Sequence, residues 1–381
     1  MASRQCARRA VNNIETIICL ILLLMAVPDL CRKLGRPALA NVLFVVFGLA
    51  LGTMVQTDVA TMIKQAGEVG FLLVLFEVGL EIELPPLREL LPSLRFGVLW
   101  SFVQYPLVVL LAQVSGLSLI EGVLAAAAIT GCSMSMAYYG WKDYPGFPGA
   151  SRAFTLQIMI ALEVLTIVVL SLGSATVKNG FGWLLLLKLA GMAVTVFLTS
   201  RFTSHFVKLF QWIIQKSTHW RVHFLVLLVL VVCAIGERLG LAAAKTAFFL
   251  GLFMSRAQFQ GQSVEEYIAP ISRRFLIPIF FMSLGLLIDA RMVFSYTALL
   301  ALCGSFLLIG FREILHRHWL KTGGDTGAYL LLCPNLTMTA LAATTLLGAG
   351  SRDAATWVVL SGLFMSVISL LLLPRVVEEK L

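Results

Sequence analysis

Apolar segments of about 16 to 25 residues alternate with short polar segments along the whole chain. A helix needs about 20 apolar residues to cross a bilayer. Segments near that length lie at about 14–31, 38–55, 66–84, 94–115, 120–141, 150–173, 181–200, 222–238, 241–256, 269–288, 294–315, 325–349 and 354–374. The pattern predicts an all-α polytopic membrane protein with about 13 transmembrane helices.

Two of the predicted helices are interrupted by small or polar residues at corresponding places in the two halves of the chain. Gly131 lies in the break of the fifth helix, and Pro334, which has no backbone N–H, lies in the break of the twelfth. Paired breaks of this kind indicate inverted repeats with a binding site near the bilayer midplane. We therefore expect the polar groups of the two breaks to line an ion site. The candidates are Thr130, Cys132, Ser133, Asn335 and Thr337.

The longest polar interval, 201–221, divides the chain into a first half (1–200, helices 1–7) and a second half (222–381, helices 8–13). Its apolar residues recur at helical spacing with basic residues between them. This spacing is typical of an amphipathic helix at the cytoplasmic interface, and equally compatible with a plain connector.

Composition and charge agree with a membrane protein. Hydrophobic residues make up 59% of the chain, charged residues 13%, and the mean hydropathy is +0.92. Most of the 29 lysines and arginines follow odd-numbered helices, which predicts an N-terminus outside and a C-terminus in the cytoplasm. Basic loops therefore explain the net charge of +9, and we expect a lipid bilayer rather than nucleic acid as partner. The seven cysteines lack metal-ligand spacing, and GxSxG and HExxH are absent, so we expect no transition metal, no cofactor and no enzyme activity.

A carboxylate, Glu163, lies near the middle of the sixth predicted helix. A charge at that depth costs about 2.5–3.5 kcal/mol on insertion scales, so it usually has a function. Glu77 in the third helix is a secondary candidate. Lys245 in the ninth helix and Arg312 in the eleventh are candidates for charge compensation, although Lys245 could instead reach the surface and Arg312 could be interfacial.

Four motifs give the chain a resemblance to the second branch of the monovalent cation/proton antiporters, which has Kef-like and NapA-like members. They are KLGRPAL at 33–39, LFEVGLE at 75–81, LGLAAAKTAFFLG at 239–251 and PIFFMSLGLLID at 278–289. The resemblance implies a homodimer in a bacterial inner membrane. It also implies a panel of helices for dimerisation and a core domain that moves across the bilayer. In that core domain the two broken helices are expected to cross near the ion-binding carboxylate of helix 6.

The resemblance assigns the ion-binding carboxylate to Glu163 and a facing cation to Arg312. The family usually has Asp at the first position, preceded by a polar residue that is Leu162 here. Cys132 replaces the family's usual Thr on helix 5, and residues 335–337 replace its charged pair on helix 12. The departures from the family pattern therefore cluster at the expected site.

The resulting hypothesis is an antiporter that exchanges Na⁺ or K⁺ for protons by alternating access. One buried carboxylate can hold a proton or a cation, but not both. Because Arg312 keeps its proton at ordinary pH, only Glu163 would cycle, and no net charge would move. Two alternatives remain at this point: a Kef-like potassium efflux unit gated by a separate cytoplasmic partner, and a transport-dead membrane sensor or scaffold with the antiporter fold.

Overall fold

A computed structural model describes residues 13–53, 57–81, 87–142, 144, 149–179, 221–238, 243–255, 258–259, 262–288, 290–320 and 327–374. A helix lies in each predicted segment except 181–200, which lies outside the described residues together with 201–220 of the predicted linker 201–221. Within the described ranges, seven helical stretches are long and apolar enough to cross a membrane. The predicted all-α class is confirmed.

The helices of the first half are α1 (Asn13–Lys33), α2 (Leu39–Leu51), α3 (Thr57–Glu81), α4 (Leu87–Val114), α5 (Leu119–Ile129), α6 (Met134–Lys142) and α7 (Gly149–Asn179). Those of the second half are α8 (Arg221–Arg238), α9 (Ala243–Met254), α10 (Val264–Ile271), α11 (Ile277–Leu287), α12 (Ala290–Val293), α13 (Tyr296–Leu315), α14 (Leu336–Gly348) and α15 (Arg352–Leu372). Shorter elements are π-helical turns at Ser272–Leu276 and His316–Leu320, a 3₁₀ turn at Ala328–Leu332, and two paired antiparallel strands, β1 (Gln258–Phe259) and β2 (Gln262–Ser263).

These helices pack as two bundles, each built from both halves of the chain. The panel bundle contains α1–α3 and α8–α11, and the core bundle contains α4–α7 and α13–α15. A contact between α2 and α15 joins them, and the Arg36 guanidinium donates there to the backbone carbonyl of Leu370. The division gives the core bundle both broken helices.

The panel bundle repeats one close helix crossing. Helix α2 packs on α11 at Gly48 and Gly285, and α3 packs on α9 at Gly79 and Gly251. A Cβ atom added at Gly48 would lie 2.0 Å from the backbone oxygen of Met282, and one added at Gly251 would lie 2.0 Å from a backbone oxygen of α3. The four glycines recur at nearly the same spacing in the two halves, as inverted repeats require.

Candidate functional site

The first broken helix opens between α5 and α6. Helix α5 ends at Ile129, and the Thr130 hydroxyl then donates to a backbone carbonyl one turn back, at 2.8 Å. At Gly131, an added Cβ atom would lie 2.4 Å from the Thr166 hydroxyl of α7. A side chain at this position would therefore push α7 away from the break, which explains why glycine stands here.

The second break separates the 3₁₀ turn from α14. Pro334 cannot donate a backbone hydrogen bond, so the helical ladder stops at this residue. Asn335 follows in a non-helical conformation, with φ of −142° and ψ of 16°, and its N–H donates to the Ser366 hydroxyl of α15 at 3.2 Å. Helix α14 then begins at Leu336, and Thr337 in its first turn contacts Ser133 of the other break.

The two breaks meet in direct hydrogen bonds. The backbone N–H of Ser133 donates to the carbonyl of Pro334 at 2.6 Å, and the Ser133 and Thr337 hydroxyl oxygens lie 3.0 Å apart. The Cys132 thiol donates to the carbonyl of Leu331 at 3.3 Å. The structure thus brings together the polar residues that the sequence singled out in the two breaks.

Glu163 joins this crossing from α7. It is fully buried, and its Oε1 accepts a hydrogen bond from the backbone N–H of Met134 at 3.3 Å. Met134 is the first residue of α6, where N–H groups lack intrahelical partners and the helix dipole is positive. The carboxylate therefore lies at the positive end of a half-helix, where it accepts from an N–H that has no partner within its own helix.

Arg312 lies at the C-terminal ends of two half-helices, where the helix dipole is negative. Its Nη2 donates to the carbonyl of Ile129 at 2.8 Å and its Nη1 to the carbonyl of Leu332 at 3.0 Å, which are the last residues of α5 and of the 3₁₀ turn. Its Nε donates to Gln104 Oε1 at 2.7 Å. The guanidinium thus compensates the negative ends of two half-helices. None of these three bonds goes to Glu163, the carboxylate that the resemblance places opposite Arg312.

Asn335 presents an oxygen at the crossing. Its Nδ2 donates to the carbonyl of Ile129 at 2.6 Å, while its buried Oδ1 has no hydrogen-bond partner within the described ranges. A buried acceptor left in this condition costs about 1–3 kcal/mol. Amide oxygens are suitable ligands for hard cations, so this atom is chemically matched to one.

Two residues of the site were not predicted from the sequence. Gln104 lies in the otherwise apolar FVQYP stretch of α4, where an isolated amide is itself a signal of an internal partner. Ser366 follows Pro334 at the same interval at which Glu163 follows Gly131. The repeat could therefore have identified this serine, which binds the second break as Glu163 binds the first.

The secondary candidates lie elsewhere or are not described. Glu77 is buried in the panel bundle, where it accepts from the Ser272 hydroxyl at 2.6 Å and from Arg273 Nε at 2.5 Å. It belongs to an ion pair at a π-helical turn. Lys245 lies on α9, and the prediction for its side chain falls outside the described part of the chain.

The sequence of this chain is similar to those of known membrane proteins. A family model described as the transmembrane sodium/hydrogen exchanger matches residues 19–378. A probable Na⁺/H⁺ antiporter 3 of Methanocaldococcus jannaschii is 22% identical over 291 residues, 73% of this chain and 72% of that protein. A probable Na⁺/H⁺ antiporter GerT of Bacillus cereus is 24% identical over 272 residues, which cover 68% of this chain and 69% of that protein.

The fold is also similar to a solved structure, the sodium proton antiporter MjNhaP1 from Methanocaldococcus jannaschii at pH 8. The two share a TM-score of 0.69 and 16% identity, and the match covers 94% of this chain and 95% of the other. At this identity the likeness concerns the fold alone.

Proposed function

This chain belongs to the sodium/hydrogen exchanger family, and we propose that it exchanges Na⁺ or K⁺ for protons by alternating access, with Glu163 as the shared binding group. The family consists of integral membrane transporters rather than enzymes, which confirms the class predicted from the sequence. The observation that carries the proposal is the buried Glu163 carboxylate at the start of α6, beside the two broken helices.

Competition at Glu163 is sufficient for exchange. The protonated carboxyl and the carboxylate bound to a monovalent cation have the same net charge, whereas the empty carboxylate carries an additional negative charge. An occupied core bundle therefore crosses the bilayer more readily than an empty one, because a bare charge in the membrane is costly. Coupling follows, since movement in either direction requires a proton or a cation on the same group.

The remaining ligands would come from the crossing itself. The Asn335 Oδ1 and the paired hydroxyls of Ser133 and Thr337 are hard oxygen donors at the crossing of the two breaks. Thr130 could add its hydroxyl oxygen, because its own proton is already donated to the backbone. The Cys132 thiol is a soft donor, which suits Na⁺ or K⁺ poorly, so we assign it to packing of the break.

Arg312 stabilises the crossing in this proposal and does not exchange its proton. It is buried among two backbone carbonyls and an amide oxygen, and an arginine keeps its proton at ordinary pH. One exchanging carboxylate then gives one proton for one cation. The transport cycle would move no net charge.

The protein is further proposed to be a homodimer associated through the panel bundle, in a bacterial inner membrane. Its N-terminus would be outside and its C-terminus in the cytoplasm, following the distribution of basic residues. Cross-linking in native membranes and fusion of a reporter enzyme to each terminus test these two statements separately.

Reconstitution in vesicles that contain a pH-sensitive dye tests the exchange. Addition of Na⁺, K⁺ or Li⁺ outside should change the internal pH, and Glu163→Gln should abolish the response. Glu68→Gln is the matched control, because Glu68 is an exposed carboxylate on α3. A folded wild-type protein that responds to none of the three cations would contradict the proposal and favour the sensor or scaffold alternative.

An imposed membrane potential tests the stoichiometry. One-for-one exchange predicts the same initial rate with and without a potassium diffusion potential set by valinomycin, measured with Na⁺ as the substrate. A rate that follows the potential would show that a second group exchanges protons, or that the stoichiometry is unequal.

A further inference from the structure

Arg36 belongs to the KLGRPAL motif and has no role in the exchange proposed above. It lies between α1 and α2 of the panel bundle, and its guanidinium donates to the backbone carbonyl of Leu370 in α15 of the core bundle. Helices α2 and α15 also pack against each other. The bond therefore joins the two bundles that alternating access must move relative to each other.

The carbonyl of Leu370 is an acceptor that α15 cannot satisfy by itself. In a continuing helix it would accept from the N–H four residues later, at position 374. Pro374 occupies that position and has no N–H. A proline also disfavours the helical conformation in the residue before it, and Leu373 leaves the helix with φ of −58° and ψ of 147°. The buried end of this core helix thus presents a carbonyl that needs a donor from another element.

The panel bundle holds Arg36 at a fixed corner. Gly35 adopts a left-handed conformation, with φ of 68°, which favours glycine. Its N–H donates to the carbonyl of Arg32 at 2.9 Å, and the N–H of Arg36 donates to the carbonyl of Cys31 at 2.9 Å, which is the Schellman pattern of a helix end. The carbonyl of Arg36 accepts from the N–H of Leu39 at 3.1 Å, at the start of α2. The backbone of Arg36 is therefore bonded to both helices of the panel bundle.

We propose that Arg36 is a latch, meaning a bond that holds the core bundle against the panel bundle at the cytoplasmic end and favours the state in which that side is closed. The latch rests on the proposed exchange, in which the gap between the bundles opens on one side at a time. The predicted orientation places the α1–α2 corner and the end of α15 in the cytoplasm. Opening of this side separates Arg36 from the carbonyl of Leu370. A hydrogen bond from a charged group shifts such an equilibrium by at least about tenfold.

Double electron–electron resonance tests the latch without transport. Spin labels attached through non-natural amino acids at Lys33 and Leu372, the exposed last residues of α1 and α15, report the distance between the bundles at this end. The wild-type protein, in lipid nanodiscs without Na⁺ or K⁺, should show one dominant short distance. Arg36→Met should raise the ratio of long to short distances about tenfold. Arg32→Met removes an exposed arginine in the last turn of α1 and is the matched control, which should keep the wild-type distribution.

A second variant tests the same bond from the core bundle and leaves Arg36 in place. Pro374→Ala restores an N–H at position 374, so that α15 can satisfy the carbonyl of Leu370 within its own helix. The competing donor weakens the bond to Arg36. Pro374→Ala should therefore shift the distances in the same direction as Arg36→Met, by a smaller factor, and should add nothing in the Arg36→Met background.

Transport measured from each face of the membrane is the second arm. The apparent affinity for an ion falls with the populated fraction of the state that binds it. In vesicles of known orientation, Arg36→Met should change the ratio of the apparent KM values for Na⁺ at the two faces about tenfold, in favour of the cytoplasmic face. A purely structural role for Arg36 would instead weaken binding at both faces or lower only the maximal rate.

The outcomes separate the latch from the exchange. Longer distances in Arg36→Met, in a protein that moves no protons with any cation, support the latch as a bond between the bundles and contradict the exchange. Wild-type distances in both Arg36→Met and Pro374→Ala, with cation-dependent proton movement intact, reject the latch and leave the exchange in place.

Discussion

Replacement of Arg312 tests whether this side chain only stabilises the two breaks or also acts on the transported ion. Arg312→Met keeps much of the side-chain volume and removes every donor. Gln104 Oε1 and the carbonyl of Leu332 then lose the donor that Arg312 provides, whereas the carbonyl of Ile129 keeps its bond from Asn335 Nδ2. Two buried acceptors are therefore left unpaired.

The expected loss of folding free energy follows from those two unpaired acceptors. Each costs about 1–3 kcal/mol, which gives about 2–6 kcal/mol in total. Loss of the positive charge at two negative helix ends adds about 0.3–1 kcal/mol for each end. Arg312→Lys keeps the charge but not the planar guanidinium that bonds in three directions. It should therefore destabilise the protein roughly half as much as Arg312→Met.

Thermal unfolding in detergent, followed by intrinsic tryptophan fluorescence, measures these differences. One kcal/mol corresponds to about 2–4 °C in domains of 150–250 residues, so Arg312→Met should lower the midpoint by at least about 5 °C. Gln104→Met, which removes one of the three acceptors and leaves a guanidinium N–H unpaired, should lie between the wild type and Arg312→Met. If Arg312→Met kept the wild-type midpoint but lost cation-dependent proton movement, a purely stabilising role for Arg312 would be wrong.

Three further predictions concern other parts of the molecule. Gly251→Ala should reduce the yield of folded protein, because its Cβ atom would lie 2.0 Å from a backbone oxygen. Gly310→Ala is the control, since nothing lies within 4 Å of the added Cβ atom. Equal yields of the two variants on size-exclusion chromatography would contradict the close crossing. Glu77→Gln should destabilise the protein by about 1–3 kcal/mol and leave Na⁺-driven proton movement intact, since the ion pair with Arg273 lies in the panel bundle; loss of transport in a stable variant would place Glu77 in the cycle. Asn335→Asp adds a second carboxylate at the crossing and should make the exchange rate follow an imposed membrane potential, whereas an unchanged, voltage-independent rate would show that this position does not contact the exchanging ions.

The apolar periodicity predicted the helices, and Gly131 and Pro334 predicted where two of them are interrupted, because both signals are local. A run of apolar residues has one stable conformation in a bilayer, and a glycine or a proline interrupts it at its own position. These features need no knowledge of the neighbouring helices.

The partners of the buried charges could not be predicted in the same way. The contacts of Arg312 depend on where α5 and the 3₁₀ turn end relative to α13, which is set by helix packing. The same holds for Glu77, whose partners Ser272 and Arg273 reach it from a π-helical turn almost two hundred residues further along the chain. Sequence alone showed that these charges needed partners, but not which ones.

The glycine crossings of the panel bundle have a consequence for synthesis of the protein. Helices α2 and α3 make their closest contacts with α11 and α9, which belong to the other half of the chain. During translation, the first half must therefore remain in the membrane with its glycine faces unmatched until the second half has been inserted. A chain truncated after α7 would keep those faces permanently exposed to lipid, and membrane quality-control proteases would recognise it as unassembled. Two separately expressed halves, by contrast, should find each other, because each carries the missing partner of the other.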